Sequence, residues 1–235
     1  MARQSRVHTV HRIQPGARAD RAPGARLTCA VLSTGPEEWV GVDLASGAFL
    51  RARPGAVGAP ALPGEWSPFD VVVLEIGEDT EPPDPSRPEV VAVTGTPERT
   101  GRLRRRVARR LLRQLCAPEQ QGRTVLGTRG PSIAYVDLEV STPSLVVVET
   151  SPRLFGCYLR DDGNVACSFS WAGTTQSLPL LDGRLRAAVL ERSPRPPDSA
   201  SIGTAIGGKP GFLLVGLTAV RAGHAPKAVL SVLPR

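Results

Sequence analysis

Thr96–Cys116, TPERTGRLRRRVARRLLRQLC, decides the reading of the fold, because it alone carries a sustained helical period in a chain that otherwise reads as strands. Thr96 stands where an N-cap is wanted, Pro97 at a first helical position, Glu98 in a first turn, and Pro118 just past Cys116. At about 100° per residue, Leu103, Val107, Ala108, Leu111, Leu112 and Leu115 fall on one side, while Arg99, Arg102, Arg105, Arg106, Arg109, Arg110 and Arg113 fall on the other. Arg104 alone sits among the apolar positions. The spacing predicts one amphipathic helix over 97–117. Its apolar face is built to bury, and its cations stand close enough to repel one another unless water, salt or an anionic surface intervenes.

On the N-terminal side, residues 1–26 mix Arg, Pro, Gly and Ala with few large apolar residues, the composition of a disordered basic arm. Strand patterns begin at Leu27: LTCAVLS, EWVGVDL and GAFLRAR, with a turn at Ala45–Gly47, then FDVVVLEI and EVVAV after Pro-rich loops. These make a first β module over 27–96. On the C-terminal side, 118–235 repeats the theme with IAYVDLEV, SLVVVE, RLFGCYLR, VACSFSW, GFLLVGLT and APKAVLSVL. Asp162-Gly163 suits a two-residue type I′ turn between RLFGCYLR and VACSFSW. That turn makes Tyr158 face Cys167, and it sends Cys157 and Cys167 to opposite sides of the sheet as free thiols. Two β modules of about five strands each, joined by a helix, point to two small barrels rather than one long sandwich.

The charge is unevenly spread. The 235 residues hold 29 basic and 22 acidic side chains, a net +7, and all but Lys209 and Lys227 of the bases are arginines. Residues 27–96 are acidic, with eleven carboxylates against three arginines, whereas 97–117 carry eight arginines and one glutamate. Either the helix docks on an acidic surface or it meets an external polyanion. No apolar run approaches the roughly 20 residues that cross a bilayer, and the N-terminus lacks the apolar core of a secretory signal. A cytoplasmic protein with no membrane contact is the expectation.

The order of features resembles the dual OB-containing domain family: the opening strand, VGVDLASGAFLRARP, PFDVVVLEI, a helical middle, the RLFGCYLRDDGNVACSFSW hairpin and a closing GFLLVGLT. The resemblance covers most of 27–235. In that family the second hairpin strand ends in aromatic, aliphatic, Arg and Pro. Phe49, Leu50 and Arg51 match here, and Pro54 follows only after Ala52 and Arg53. The resemblance implies paired small barrels with no assigned activity and adds Arg51 to the candidate contacts.

Catalytic signatures are absent from the sequence. Residues 203–211, GTAIGGKPG, approach a phosphate-binding loop, but Pro210 stands where the Mg²⁺-binding hydroxyl is needed, and FLLVG after it reads as strand, not as a helix N-terminus. His224 has no evident partner base or nucleophile, and the four cysteines and three histidines lack metal-ligand spacing. No cofactor and no metal are expected. Tyr158, Phe169 and Trp171 share a predicted sheet face that packs into the core or stacks unpaired bases.

The expectation is therefore a mainly β protein: two OB-like barrels joined by the Arg-rich helix, non-enzymatic, contacting single- or double-stranded nucleic acid or a nucleotide-type anion. The candidate contacts are Arg102, Arg105, Arg106, Arg109, Arg110, Arg113 and Arg51, with the basic arm, and Tyr158, Phe169 and Trp171 are candidate stacking residues. The alternatives are an adaptor whose Arg helix docks on an acidic protein partner, and an enzyme with an unrecognised site.

Overall fold

A computed structural model of the chain describes residues 22–35, 38–54, 66–78, 84–117, 124–138, 143–192 and 196–235. Most of the expected basic arm, with His8 and His11, and all of residues 55–65 and 79–83 lie outside the described residues. The chain divides into two compact units, one of residues 1–83 and 89–115, the other of residues 84–88 and 116–235.

The first unit is a closed barrel of β1 (Arg26–Thr34), β2 (Trp39–Asp43), β3 (Phe49–Pro54), β4 (Asp70–Ile76) and β5 (Val90–Arg102), hydrogen-bonded in the order β1-β2-β3-β5-β4. β1 pairs antiparallel with both β2 and β4, closing the ring, and β3 runs parallel to β5. Alternate residues point inward, so Leu27, Cys29 and Val31 of β1, Leu50 and Ala52 of β3, and Val72, Leu74 and Ile76 of β4 meet in one core. Trp39 and Trp66 pack edge to face there, 5.6 Å between ring centroids. In the β2–β3 turn, Asp43 accepts the Ser46 N–H at 2.9 Å, and Gly47 takes a φ of 77°.

The helix is shorter than its sequence signals. Residues 96–102 are strand, and α1 runs only from Arg105 to Leu115. Thr96-Pro97-Glu98 looks like a helix start, yet pairing with β4 overrides it. Val73 pairs with Glu98 and Glu75 with Thr94, so three β5 residues oppose Leu74. This bulge, with Gly95 at φ 64°, accommodates Pro97, which has no N–H to give a ladder.

The second unit contains β6 (Ser132–Ala134), β7 (Leu145–Glu149), β8 (Phe155–Leu159), β9 (Val165–Trp171), β10 (Thr174–Pro179), α2 (Gly183–Arg192), α3 (Ser199–Ile206), β11 (Pro210–Leu217) and β12 (His224–Pro234). They form a three-stranded sheet, β10-β9-β8, and a four-stranded sheet, β6-β12-β11-β7. One core joins them: Cys157, Phe169 and Trp171 from the first, Val148, Leu213 and Val229 from the second, with Leu185, Val189, Ile202 and Ile206 from α2 and α3. The expectation of a single helix is thus corrected by α2 and α3. Their apolar residues recur four apart, but α3 is built from Ser, Ala, Gly and Thr and reads as loop. It is held instead by its ends: Asp198 accepts the Ser201 N–H at 2.7 Å, and Gly207 caps the C-terminus at φ 73°. GTAIGGKPG is therefore the close of a helix and the opening of β11.

The β8–β9 hairpin has a different register from that expected. Arg160 and Asn164 close it around a three-residue loop, Asp161-Asp162-Gly163, in which the Gly163 N–H donates to Arg160 O at 2.9 Å and Gly163 takes φ 78°. The extra residue shifts every pair by one. Cys157 now faces Cys167 directly, Phe155 faces Phe169, and Tyr158 faces Ala166.

Candidate functional site

α1 spans about 16 Å at ~1.5 Å per residue. Ala108, Leu111 and Leu112 are buried, while Arg104, Arg105, Arg106, Arg110 and Arg113 are exposed. Arg109 is half-buried, its Nε shielded from water without a hydrogen-bond partner. Arg104, read from the period as lying on the apolar side, immediately precedes the helix and is exposed. Among the described residues, Arg104, Arg106, Arg110 and Arg113 have no carboxylate partner. Arg106 and Arg110, like Arg109 and Arg113, are four apart, so their charges repel along the helix. The first turn contains no acid, and Arg104, Arg105 and Arg106 crowd the positive end of the helix dipole. Both effects favour an anion beside this surface.

Two of the expected contacts lie elsewhere. Arg102 is on β5, where it and Arg99 each reach Asp70 Oδ1 at 3.1 Å; Oδ2 of the same carboxylate accepts the Ser67 N–H at 3.0 Å. Asp70 is almost wholly buried, and its arginines are half in water. Arg51 is buried, 0% exposed, with Glu38 at 2.8 Å and Glu89 at 3.8 Å. Its charge is met inside the first unit, so it lies apart from the exposed arginines of α1. The sequence placed Arg51 on a strand, but its carboxylates come from other segments of that unit and have no local signal.

The aromatic platform does not assemble. Phe169 and Trp171 are 1% and 5% exposed and belong to the core. Tyr158 lies on the other face of the sheet with Ser168 and Ser177, its hydroxyl 2.6 Å from Ser177 Oγ. The one-residue register shift separates them, since neighbours along a strand point to opposite faces.

The remaining polar clusters read as structural. Asp182 immediately precedes α2, where it pairs with Arg184 at 2.6 Å and accepts the Val232 N–H at 3.0 Å, tying the start of the helix to β12. Lys227 is buried, its Nζ donating to Thr128 O at 2.6 Å, and burial pushes its pKa from 10.5 to about 8. Among the described residues, no group of three or more His, Cys, Asp or Glu is gathered to hold a metal ion, and no helix is long and apolar enough to cross a membrane. Comparisons with protein-family models, with curated proteins and with solved structures gave no match.

Proposed function

We propose that the chain is a non-enzymatic binding protein of two OB-like modules that contacts the phosphate backbone of nucleic acid through the outer face of α1. The carrying observation is that Arg106, Arg110 and Arg113 on α1, and Arg104 just before it, are exposed and without carboxylates among the described residues, beside other arginines that have found them. Among the described residues, none of these four arginines pairs with a carboxylate of the acidic module, where Asp70, Glu38 and Glu89 are engaged by Arg99, Arg102 and Arg51.

The OB-like reading rests on strand order and direction. In the first unit, a three-stranded antiparallel meander is closed by β4 on β1 and by β5 lying parallel on β3. The second unit follows the same order when β7 and β8 are taken as one first strand, broken at the 3-10 turn Pro152–Leu154. β7 then pairs with the fourth strand, β11, and β8 with the second, β9. A parallel bridge, Leu180 to Val229, joins the end of the third strand to the fifth. Folds of this kind carry oligonucleotides in many settings, and here α1 supplies the cations.

The test is binding of labelled single- and double-stranded oligonucleotides across a salt series, with wild type and the triple variant R106A/R110A/R113A. If each arginine neutralises one phosphate, the slope of log affinity against log salt falls in magnitude by roughly 2 on single strands and about 2.7 on duplex. The loss should be the same for unrelated base sequences, because phosphate contacts carry no sequence information. Wild-type protein that ignores every oligonucleotide at low salt overturns the proposal and leaves the acidic-partner reading.

A further inference from the structure

The β8–β9 register has a chemical consequence. Arg160 and Asn164 form a hydrogen-bonded pair, so alternation along the ladder makes Cys157 and Cys167 a non-hydrogen-bonded pair, the geometry that brings opposite Cα atoms to about 4.5 Å. Disulfides span Cα separations of about 4.4–6.8 Å. Both side chains point to the core face, 3% and 0% exposed, and all four cysteines of the chain carry free thiols. Neither of the others has such a neighbour: Cys29 lies between Asp43 and Val72, and Cys116 bridges to Val147.

We infer that Cys157 and Cys167 are a reversible redox pair, closing to a cross-strand disulfide when the chain meets a low-molecular-weight disulfide oxidant. One cysteine thiolate attacks the oxidant RSSR, forming a mixed disulfide and releasing RS⁻. The second thiolate then attacks the protein sulfur and expels the other RS⁻. The two cysteines lose two protons and two electrons, and the oxidant leaves as two RSH. Burial, and then the hydrogen bond it shares with Cys157, raise the Cys167 thiol well above its ordinary pKa. The closed hairpin therefore holds the Cys167 thiol protonated and both sulfurs out of reach, and local opening of β8–β9 sets the rate. The device reports a conditional event: oxidation of a chain whose hairpin has opened. Once formed, the bridge staples that hairpin shut.

The full chain is incubated with oxidised glutathione at increasing urea below the unfolding transition, then alkylated, digested and mapped. Four thiols are expected to titrate in the denatured protein before treatment and two afterwards, with Cys157 and Cys167 in one cross-linked species lighter by two hydrogen atoms. The rate should rise with urea and with pH, and dithiothreitol should restore four thiols. C157S and C167S should each keep three thiols or a glutathione adduct, with no intramolecular link; because the wild-type map stands alone, the result does not depend on their folding. A bridge through Cys29 or Cys116, or four remaining thiols at urea concentrations where β8–β9 amides exchange freely, overturns the inference.

Discussion

Asp70 holds three donors with one carboxylate, and its partners differ in how much they need it. Arg99 and Arg102 keep half their side chains in water, whereas Asp70 is buried. Asp70→Ala strands no buried cation, so the expected loss is about 1–3 kcal/mol, read as a lower urea midpoint. Arg99→Ala or Arg102→Ala leaves the other arginine in place and should cost under about 1 kcal/mol. Arg51 is the opposite case, a fully buried cation between Glu38 and Glu89. Arg51→Ala should therefore cost about 3 kcal/mol while leaving oligonucleotide affinity of the folded protein unchanged.

Lys227 yields a pH signature. Its folded pKa, about 8, lies below the ordinary 10.5, so between those values the unfolded chain binds more protons and stability rises with pH. The penalty of the buried charge is complete below pH 8. The buried thiols of Cys29 and Cys167, whose pKa values are raised, pull the other way at high pH. The useful quantity is thus the difference between wild type and Lys227→Met: the rise in urea midpoint between pH 8 and 10 should be smaller in the variant. Equal slopes would show that Lys227 titrates as it would in water.

At the scale of elements, local signals succeeded where the period of two was unbroken and failed where a single residue changed the count. β1, β2, β4, β8, β9 and β11 are legible as alternating or apolar runs. The hairpin was legible as a hairpin, but Asp161-Asp162-Gly163 holds three loop residues rather than two, and that difference decides which faces of Tyr158 and Trp171 meet the core. Gly163→Ala should cost about 1 kcal/mol through its positive φ. The start of α1 was misread because Thr96-Pro97-Glu98 carries every local sign of a cap, and only the partner strand β4, some twenty residues earlier, shows that it is a bulge. The exposed cations of α1 were legible because they needed only spacing; the fate of Arg51 was not, because it needed tertiary partners.

At the scale of the molecule, both units are made largely of contacts between segments distant in sequence. β1 must wait for β4, β3 for β5, and β7 for β11. Closing such loops comes before their reward, so folding should be slow, with single-exponential phases in the millisecond-to-second range rather than microseconds. Stopped-flow refolding from urea would measure them, and a microsecond phase carrying most of the amplitude would contradict the strand order described. The same order gives a direction in time during synthesis. The first barrel has all five of its strands once Arg102 is made, whereas the second unit lacks its β12 until the last third of that unit has been added. On the ribosome, then, the acidic barrel can be complete while VVV, FGC and the rest of the second core are still an unpaired apolar chain.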